Sequence, residues 1–175
     1  MRALILCLLL LSCAPLDKKT DSDEPGLRGR AVKIVDGDTF NLLLPENRTV
    51  RVRLHGVDCP ERGQDYGKAA KEVLGKLMQD QQLRVVAVDS DRYGRIVGEV
   101  YTAGGMWVNH ELVKRGMAWH YTAYSSDERL AQAEKNARVA RTGLWSMPAP
   151  IAPWAWRKEK RGGGKKETVK ESVED

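Results

Sequence analysis

The chain has 175 residues, 42% of them hydrophobic and 30% charged, so it supports one hydrophobic core and excludes several large domains. Its formal net charge of +5 favours anionic partners such as nucleic acid, although an excess of this size also aids solubility. Of the three cysteines, Cys7 would be removed with a signal peptide and Cys13 would carry lipid, as the N-terminal residues indicate, so Cys59 has no partner and no disulfide framework is expected.

The N-terminus has the layout of a secretory signal. A basic start precedes an apolar run from Ala3 to Leu11 that is too short to span a bilayer. The next residues, Leu10 to Cys13, are similar to a bacterial lipobox, in which the cysteine is acylated. We therefore predict a signal peptide over residues 1–12 and an exported lipoprotein anchored through Cys13 at the outer membrane or cell surface. The alternative is a periplasmic or secreted protein.

Two charged, polar stretches flank the predicted domain. Residues 13–29 have few apolar side chains and predict a flexible tether. Residues 157–175 consist mainly of charged residues and glycine, which predicts a disordered tail. The folded domain is therefore expected over residues 30–156, with an extended segment rich in proline and tryptophan from Pro148 to Trp156.

Alternating apolar residues predict five short strands. Val32 and Ile34 precede a turn at Asp36-Gly37, and Phe40, Leu42 and Leu44 resume the alternation, as in a hairpin. A third strand has Val50, Val52 and Leu54 on one face and Arg51, Arg53 and His55 on the other. Two further strands are predicted over residues 83–88 and 96–101.

Three helices are predicted between and after these strands. A complete apolar stripe over residues 66–78 indicates an amphipathic helix, and a short helix follows from Val108 to Arg115, capped by Asn109. The last begins with a capping box of Ser125 and Glu128. These elements predict an α+β, mainly β fold, namely a closed antiparallel five-stranded barrel of the OB type with three helices.

Carboxylates and arginines occur together near the strand ends. Asp38 follows the first hairpin turn and Asp58 ends the third strand, so a small barrel could bring both to one place. Two carboxylates favour a hard cation such as calcium. Arg53 alternates with Arg51 on the same strand, a pattern that is equally typical of a solvated face.

Five motifs in order resemble those of the staphylococcal nuclease (thermonuclease) family. They are Val35–Thr39 (VDGDT), Arg53–Glu61 (RLHGVDCPE), Asp91–Arg95 (DRYGR), Val108–Gly116 and Gly143–Ser146 (GLWS). The resemblance covers roughly residues 29–156. It implies an OB-type barrel and hydrolysis of phosphodiester bonds with one Ca²⁺ ion.

The resemblance also implies a role for each matching residue. Asp38 and Asp58 would bind the metal together with the main-chain carbonyl of Cys59, a position where most family members have threonine. Glu61 would activate or orient the attacking water, while Arg53 and Arg95 would hold the scissile phosphate. Tyr121 and Tyr124 lie where tyrosines of the family contact the substrate.

The function that follows is a calcium-dependent nuclease, expected to be a monomer. It would cleave DNA and RNA with low sequence specificity and leave 3′-phosphate ends. The alternative is a non-catalytic nucleic-acid-binding module of the same fold. The presence of all the expected site residues favours the enzyme, because a module of that kind has no need to keep them.

Overall fold

The structure, a computed structural model, describes residues 25–163. The predicted signal peptide, Cys13, most of the predicted tether and the end of the predicted tail lie outside the described residues. No helix within residues 25–163 is long and apolar enough to cross a membrane. The elements in chain order are β1 (Leu27–Ile34), β2 (Thr39–Leu43), β3 (Thr49–Leu54), β4 (Val57–Asp58), α1 (Gly67–Met78), β5 (Leu83–Ser90), β6 (Ile96–Thr102), α2 (Val108–Lys114), β7 (Trp119–His120), α3 (Glu128–Val139), a 3₁₀ helix (Gly143–Ser146) and α4 (Pro153–Gly163).

Five strands close into a barrel in the order β1-β2-β3-β6-β5, which confirms the OB-type barrel. The antiparallel prediction is wrong at one seam, because β3 and β6 run parallel, with Val52 opposite Ile96 and Leu54 opposite Gly98. An odd number of strands in a closed ring cannot alternate in direction at every pair. One parallel pair is therefore required by the closure itself.

The barrel interior is filled by the alternating residues of its strands. Phe40, Leu42, Val52, Val85 and Val100 are fully buried. The stripe predicted for α1 is confirmed, because the helix buries its apolar side chains against this core, namely Ala70, Leu74, Leu77 and Met78. Burial of each large side chain stabilises the fold by about 1.5–3 kcal/mol.

One predicted inward residue lies outside. Val32 is 50% exposed, because the pairing of β1 with β2 shifts register between Ala31 and Lys33. The irregularity inserts one extra residue and reverses the alternation of the strand.

The predicted cap of α2 is also wrong. Trp107 precedes the helix, whereas Asn109 lies within it with a fully buried side chain. The Asn109 amide accepts a bond from the Val100 N–H at 3.0 Å and donates to the carbonyls of His55 at 2.9 Å and Gly98 at 3.2 Å. Asn109 therefore ties α2 to the strands where β3 and β6 meet.

Replacement of Asn109 by alanine is expected to destabilise the fold. The Val100 N–H and the His55 carbonyl would lose their Asn109 partner in a buried region, at a cost of about 1–3 kcal/mol for each group left unsatisfied, whereas the Gly98 carbonyl would keep its bond from the His55 N–H. Urea unfolding of Asn109→Ala beside the parent protein measures the loss. A matched exposed control is Asn136→Ala on α3. Equal stability of Asn109→Ala and the parent would contradict the bracing role.

α3 begins two residues later than the predicted capping box. Its N-cap is Asp127, whose side chain accepts from the Arg129 N–H at 2.8 Å. Ser125 instead accepts a bond from the Asp127 N–H at 3.2 Å. The ion pair with the Arg129 side chain lowers the pKa of Asp127 to about 2.

Loss of the Asp127 cap is expected to cost about 0.5–2 kcal/mol in Asp127→Ala and less in Asp127→Asn, since asparagine also caps helices well. Because the folded-state pKa of Asp127 is depressed, its contribution is present above the ordinary aspartate range and is lost as pH falls towards about 2. Thermal unfolding at neutral and acidic pH tests this. A gap between Asp127→Ala and the parent that does not shrink on acidification would refute the charge contribution.

The C-terminal region is more ordered than the composition predicts. Leu144 and Trp145 of the 3₁₀ helix are buried, and α4 starts at Pro153, a favoured first residue of a helix. α4 replaces the end of the predicted extended segment and crosses the predicted boundary at Arg157. β1 likewise begins inside the predicted tether, at Leu27.

Candidate active site

Asp38 and Arg53 are brought together by the pairing of β2 with β3. Thr39 is opposite Arg53, so Asp38 lies beside the end of β3, and its carbonyl accepts the Leu54 N–H at 2.9 Å. The Arg53 guanidinium bonds Asp38 Oδ1 through Nη1 at 2.6 Å and Asp58 Oδ1 through Nη2 at 3.0 Å. One arginine thus joins both predicted metal ligands.

Asp58 is held in a small sheet formed by β4 and β7, where it is opposite Trp119. A turn at Gly56, with φ of 69°, connects β3 to β4, and a side chain there would collide with Ser125. Asp58 itself is fully buried. Its carboxylate is therefore fixed in position by the backbone on both sides and by its arginine partners.

Cys59 lies against the loop that carries Asp38. Its N–H donates to Asp38 Oδ2 at 3.1 Å, and its thiol donates to the Gly37 carbonyl at 3.1 Å. A Cβ atom on Gly37 would come within 2.6 Å of the Cys59 Cβ, so only glycine permits this approach. Burial raises the pKa of the Cys59 thiol well above its ordinary value, so the thiol stays protonated.

Burial and neighbouring charges shift the pKa values of Asp58, Asp36 and Arg53. Burial raises the pKa of Asp58, and the bonds from Arg157 and Arg53 only partly oppose this. Burial and the neighbouring Asp38 raise the pKa of Asp36 to about 6. Burial disfavours the charge of Arg53, but Asp38 and Asp58 outweigh it and raise the Arg53 pKa. The site thus concentrates negative charge that a cation would relieve.

Glu61 lies three residues beyond Asp58 and contacts an arginine that the sequence did not identify. Arg157 Nη1 bonds Glu61 Oε1 at 2.6 Å and Asp58 Oδ1 at 3.2 Å, while its Nη2 bonds Asp58 Oδ2 at 2.8 Å. The available signal was the helical spacing of Trp154, Arg157 and Arg161, which places all three on one face of a helix that begins with proline.

Arg95 lies in the turn between β5 and β6. Its Nε bonds Asp91 Oδ2 at 2.6 Å, and its N–H donates to Asp91 Oδ1 at 3.1 Å. The parallel pairing places Val97 opposite Arg53, so Arg95, two residues earlier, lies on the same face of the sheet. The exposed Tyr93 ring packs near Arg95, with 5.6 Å from the guanidinium carbon to the ring centroid.

Tyr121 and Tyr124 also reach the cleft. Their ring centroids are 4.8 Å apart. Tyr121 is half-buried and stacks on Trp154 of α4, with 5.2 Å between centroids and 2° between ring planes, whereas Tyr124 is 68% exposed. Tyr124 and Tyr93, each 68% exposed, therefore offer aromatic surface to the solvent.

The structure brings the predicted catalytic, metal-binding and tyrosine residues together at one cleft of about 940 Å³. Its lining includes Asp38, Arg53, Cys59, Glu61, Arg95, Tyr121, Tyr124 and Arg157, and Asp58 lies behind it, bonded to Arg53 and Arg157. The lining is polar and carries both signs of charge. Such a cleft can hold a cation on its carboxylates and an anion on its arginines at the same time.

The carboxylates suit a hard cation. Within residues 25–163 no cluster of three or more histidine, cysteine, aspartate or glutamate side chains is placed to hold a metal. Asp38 Oδ2 and Asp58 Oδ2 each accept one bond, from the Cys59 N–H and from Arg157, so each keeps a lone pair. Two carboxylates supplemented by carbonyl, water or phosphate oxygens fit calcium, which prefers oxygen ligands.

The fold and the site together define the class of protein: an OB-type barrel whose cleft is lined by carboxylates and arginines. The family model described as "Staphylococcal nuclease homologue" matches residues 51–147. The chain belongs to the staphylococcal nuclease family.

Relatives in plants and bacteria share this sequence region. A probable staphylococcal-like nuclease CAN1 of Oryza sativa subsp. japonica is 49% identical over 113 residues, which are 65% of this chain and 34% of that protein. An uncharacterized endonuclease of Escherichia coli is 40% identical over 134 residues, 77% of this chain and 87% of that one. A micrococcal nuclease of Shigella flexneri is 41% identical over 141 residues, 75% and 80% of the two chains. The chain thus spans about a third of the rice protein but most of the two bacterial ones.

Proposed function

We propose that the protein is a calcium-dependent nuclease that hydrolyses phosphodiester bonds of DNA and RNA with low sequence specificity and leaves 3′-phosphate ends. The observation that carries the proposal is the cleft in which Arg53 joins Asp38 to Asp58 and which Glu61 and Arg95 also line. Membership of the staphylococcal nuclease family supports it.

Arg53 and Arg95 bind the scissile phosphate. A guanidinium carries five N–H donors. Arg53 uses Nη1 and Nη2 once each on carboxylates, and Arg95 uses only Nε, so both keep donors for phosphate oxygens. As negative charge grows on the phosphate oxygens in the transition state, these bonds strengthen. Loss of one such donor commonly costs about 10²- to 10³-fold in rate.

Glu61 directs the attacking water. Water oxygen forms a bond to phosphorus, its proton passes to the Glu61 carboxylate, and the bond from phosphorus to the 5′-oxygen breaks. The departing 5′-oxygen takes a proton from solvent, and the phosphate remains on the 3′ side. Glu61 Oε1 accepts a bond from Arg157, which leaves Oε2 for the water. General base catalysis of this kind contributes about 10²- to 10⁴-fold.

Asp38, Asp58 and the carbonyl of Cys59 would hold the calcium ion, which supplies positive charge that stabilises the anionic transition state. The aromatic faces of Tyr124 and Tyr93 would stack on bases, and base stacking is largely independent of sequence. Low specificity follows, because phosphates and stacking supply the affinity.

Cleavage of single-stranded DNA and of RNA, with calcium and with a chelator, tests this function. We expect cleavage of both that depends on calcium, with 3′-phosphate products identified by mass spectrometry. Asp38→Asn is expected to bind calcium at least about 10-fold more weakly in calorimetry, since it removes one of two charged ligands. Binding of DNA without cleavage would favour the non-catalytic module, and cleavage in chelator would refute the calcium requirement.

We also propose that the protein is exported, anchored to the membrane by an acyl group on Cys13, and monomeric. The lipobox-like residues Leu10 to Cys13 support the anchor. Labelling with a fatty-acid analogue should mark the parent protein and spare Cys13→Ser. Absence of label on the parent would exclude acylation and favour a periplasmic or secreted form, and sedimentation of the Cys13→Ser protein measures its oligomeric state.

A further inference from the structure

α4 is docked over one end of the active-site cleft by aromatic packing. Pro153 is buried, and the Trp154 ring stacks on Tyr121 and meets Trp119 edge-on, at 5.5 Å between centroids and 74° between planes. These contacts anchor the first turn of the helix. The second turn then presents Arg157 to the carboxylates, and the third places Arg161 in the cleft lining.

Glu61 is tied to this C-terminal region twice. Its side chain bonds Arg157 at 2.6 Å, and among residues 25–163 no other side chain is bonded to its carboxylate. Its backbone N–H donates to Gln64 Oε1 at 3.0 Å, and Gln64 Nε2 donates in turn to the Ile151 carbonyl, just before α4, at 2.7 Å. Both the backbone and the carboxylate of Glu61 are thus positioned by hydrogen bonds that lead to the same segment, residues 151–157.

The geometry favours a positioning contact over a blocking one. Glu61 is half-buried, with a side chain 39% exposed, and the contact with Arg157 uses Oε1 alone. Oε2 therefore remains open to a water molecule. Arg157 itself is fixed, because it also bonds both oxygens of the fully buried Asp58. The partly exposed carboxylate of Glu61 is thus linked to the buried carboxylate of Asp58 through the guanidinium of Arg157.

We propose that Arg157 is a positioning residue of the nuclease and that the segment 151–157 forms a C-terminal brace, which fixes Glu61 for attack on the phosphate. The proposal rests on the proposed function, because Glu61 has no water to direct in a protein that does not cleave. An error of about 1 Å in the placement of a catalytic group can cost about 10²-fold in rate, so correct placement of Glu61 has a measurable effect.

Single variants of α4 provide the first test. In Arg157→Ala we expect kcat to fall about 10- to 100-fold while KM changes far less, because the substrate-binding arginines are intact. Lys158→Ala removes the same charge from an exposed neighbouring position of the helix and should leave kcat unchanged. Guanidinium ion added at millimolar concentration should restore part of the activity of Arg157→Ala, and sodium ion at equal ionic strength should not. Circular dichroism confirms that each variant is folded.

A double-variant cycle separates positioning from a general structural effect. If Arg157 acts through Glu61, Arg157→Ala should have almost no further effect on kcat in a Glu61→Gln protein. Trp154→Ala, which removes the aromatic anchor of α4, should reproduce the loss seen in Arg157→Ala, and the two should not be additive.

Three results would overturn the proposal. Unchanged or higher kcat in Arg157→Ala would show that the contact is dispensable or inhibitory. Equal losses from Arg157→Ala in the parent and in Glu61→Gln would show that Arg157 acts independently of Glu61. A parent protein that cleaves no nucleic acid would overturn both this proposal and the proposed function, whereas an active parent with an unaffected Arg157→Ala overturns this one alone.

Discussion

We expect Glu61→Gln to lower kcat for cleavage of single-stranded DNA by about 10²- to 10⁴-fold, the usual contribution of a general base. Glutamine has nearly the same shape, and its oxygen can still accept the 2.6 Å bond that Arg157 donates to Glu61 Oε1. The substitution therefore removes proton acceptance and leaves the shape of the site unchanged. Single-turnover cleavage at saturating calcium measures the chemical step directly.

Two comparisons make the Glu61 result specific. Glu46→Gln changes an exposed glutamate in the turn after β2 and should retain full activity. Glu61→Asp keeps the carboxylate but shortens the side chain by one methylene. It therefore tests whether the position of the carboxylate matters when its chemistry is unchanged. Calcium affinity should be nearly unchanged in Glu61→Gln. Cleavage within about three-fold of the parent would refute the base role, since that loss lies far below the expected range.

Local patterns in the sequence were sufficient for the parts of the fold that depend on local periodicity. The buried face of α1, from Ala70 to Met78, follows from 3.6-residue spacing, and the inward residues of β2 and β3 follow from alternation. Alternation failed at Val32, where a register shift in β1 moves the side chain outward. A shift of that kind depends on the partner strand, and the sequence of β1 does not contain it.

Residues with two structural options were harder to assign. Asn109 at the start of a short helix is typical of a cap. Its side-chain amide instead bonds three backbone groups, those of His55 just after β3 and of Gly98 and Val100 in β6. Ser125 and Glu128 match a capping box, but Asp127 provides the cap. In each case the sequence offered a suitable polar side chain, and tertiary contacts decided which group it bonds.

The candidate site divides in the same way. Ordered sequence motifs identified five candidate site residues, namely Asp38, Arg53, Asp58, Glu61 and Arg95. These motifs are separated in the sequence, and the barrel brings their residues close together. Arg157 was missed, because it lies 96 residues from Glu61 in a stretch whose composition indicates disorder. Its helix is stabilised by Trp154 on Tyr121, a contact between distant segments that composition does not reveal.

The electrostatic arrangement of the site depends most on Arg53. Two buried carboxylates, Asp38 and Asp58, share its guanidinium, and the Arg53 side chain is only 20% exposed. Such a pair of like charges is tolerated in a folded protein when a cation lies between them. Arg53 therefore holds Asp38 and Asp58, the two proposed metal ligands, together in the free protein, and in the proposed mechanism its remaining donors would bind the phosphate.

We expect Arg53→Met to be the most damaging single change for stability. Removal of one partner from a buried ion pair typically costs about 3–5 kcal/mol, because the carboxylates are left without their counter-charge. Arg53→Lys should keep much of the stability but lose about 10²- to 10³-fold in kcat/KM, since an ammonium cannot bond two carboxylates and a phosphate in the planar geometry of a guanidinium. Urea unfolding and steady-state cleavage measure the two losses separately.

The loss of stability in Arg53→Met should depend on calcium and on pH, which a loss caused by simple misfolding would not. Burial already raises the pKa of Asp58, so a charged Asp58 lowers stability above the ordinary aspartate range, and protonation relieves that cost as pH falls. Removal of Arg53 is expected to raise the pKa of Asp58 further. The difference in unfolding free energy between the parent and Arg53→Met, measured in the presence of a chelator, should therefore become smaller from neutral to mildly acidic pH. Calcium should narrow it at neutral pH, because the ion supplies the missing positive charge. Arg51→Met, an exposed change on the same strand face, should show neither effect. A difference in stability between the parent and Arg53→Met that does not change with pH or calcium would contradict the charge argument.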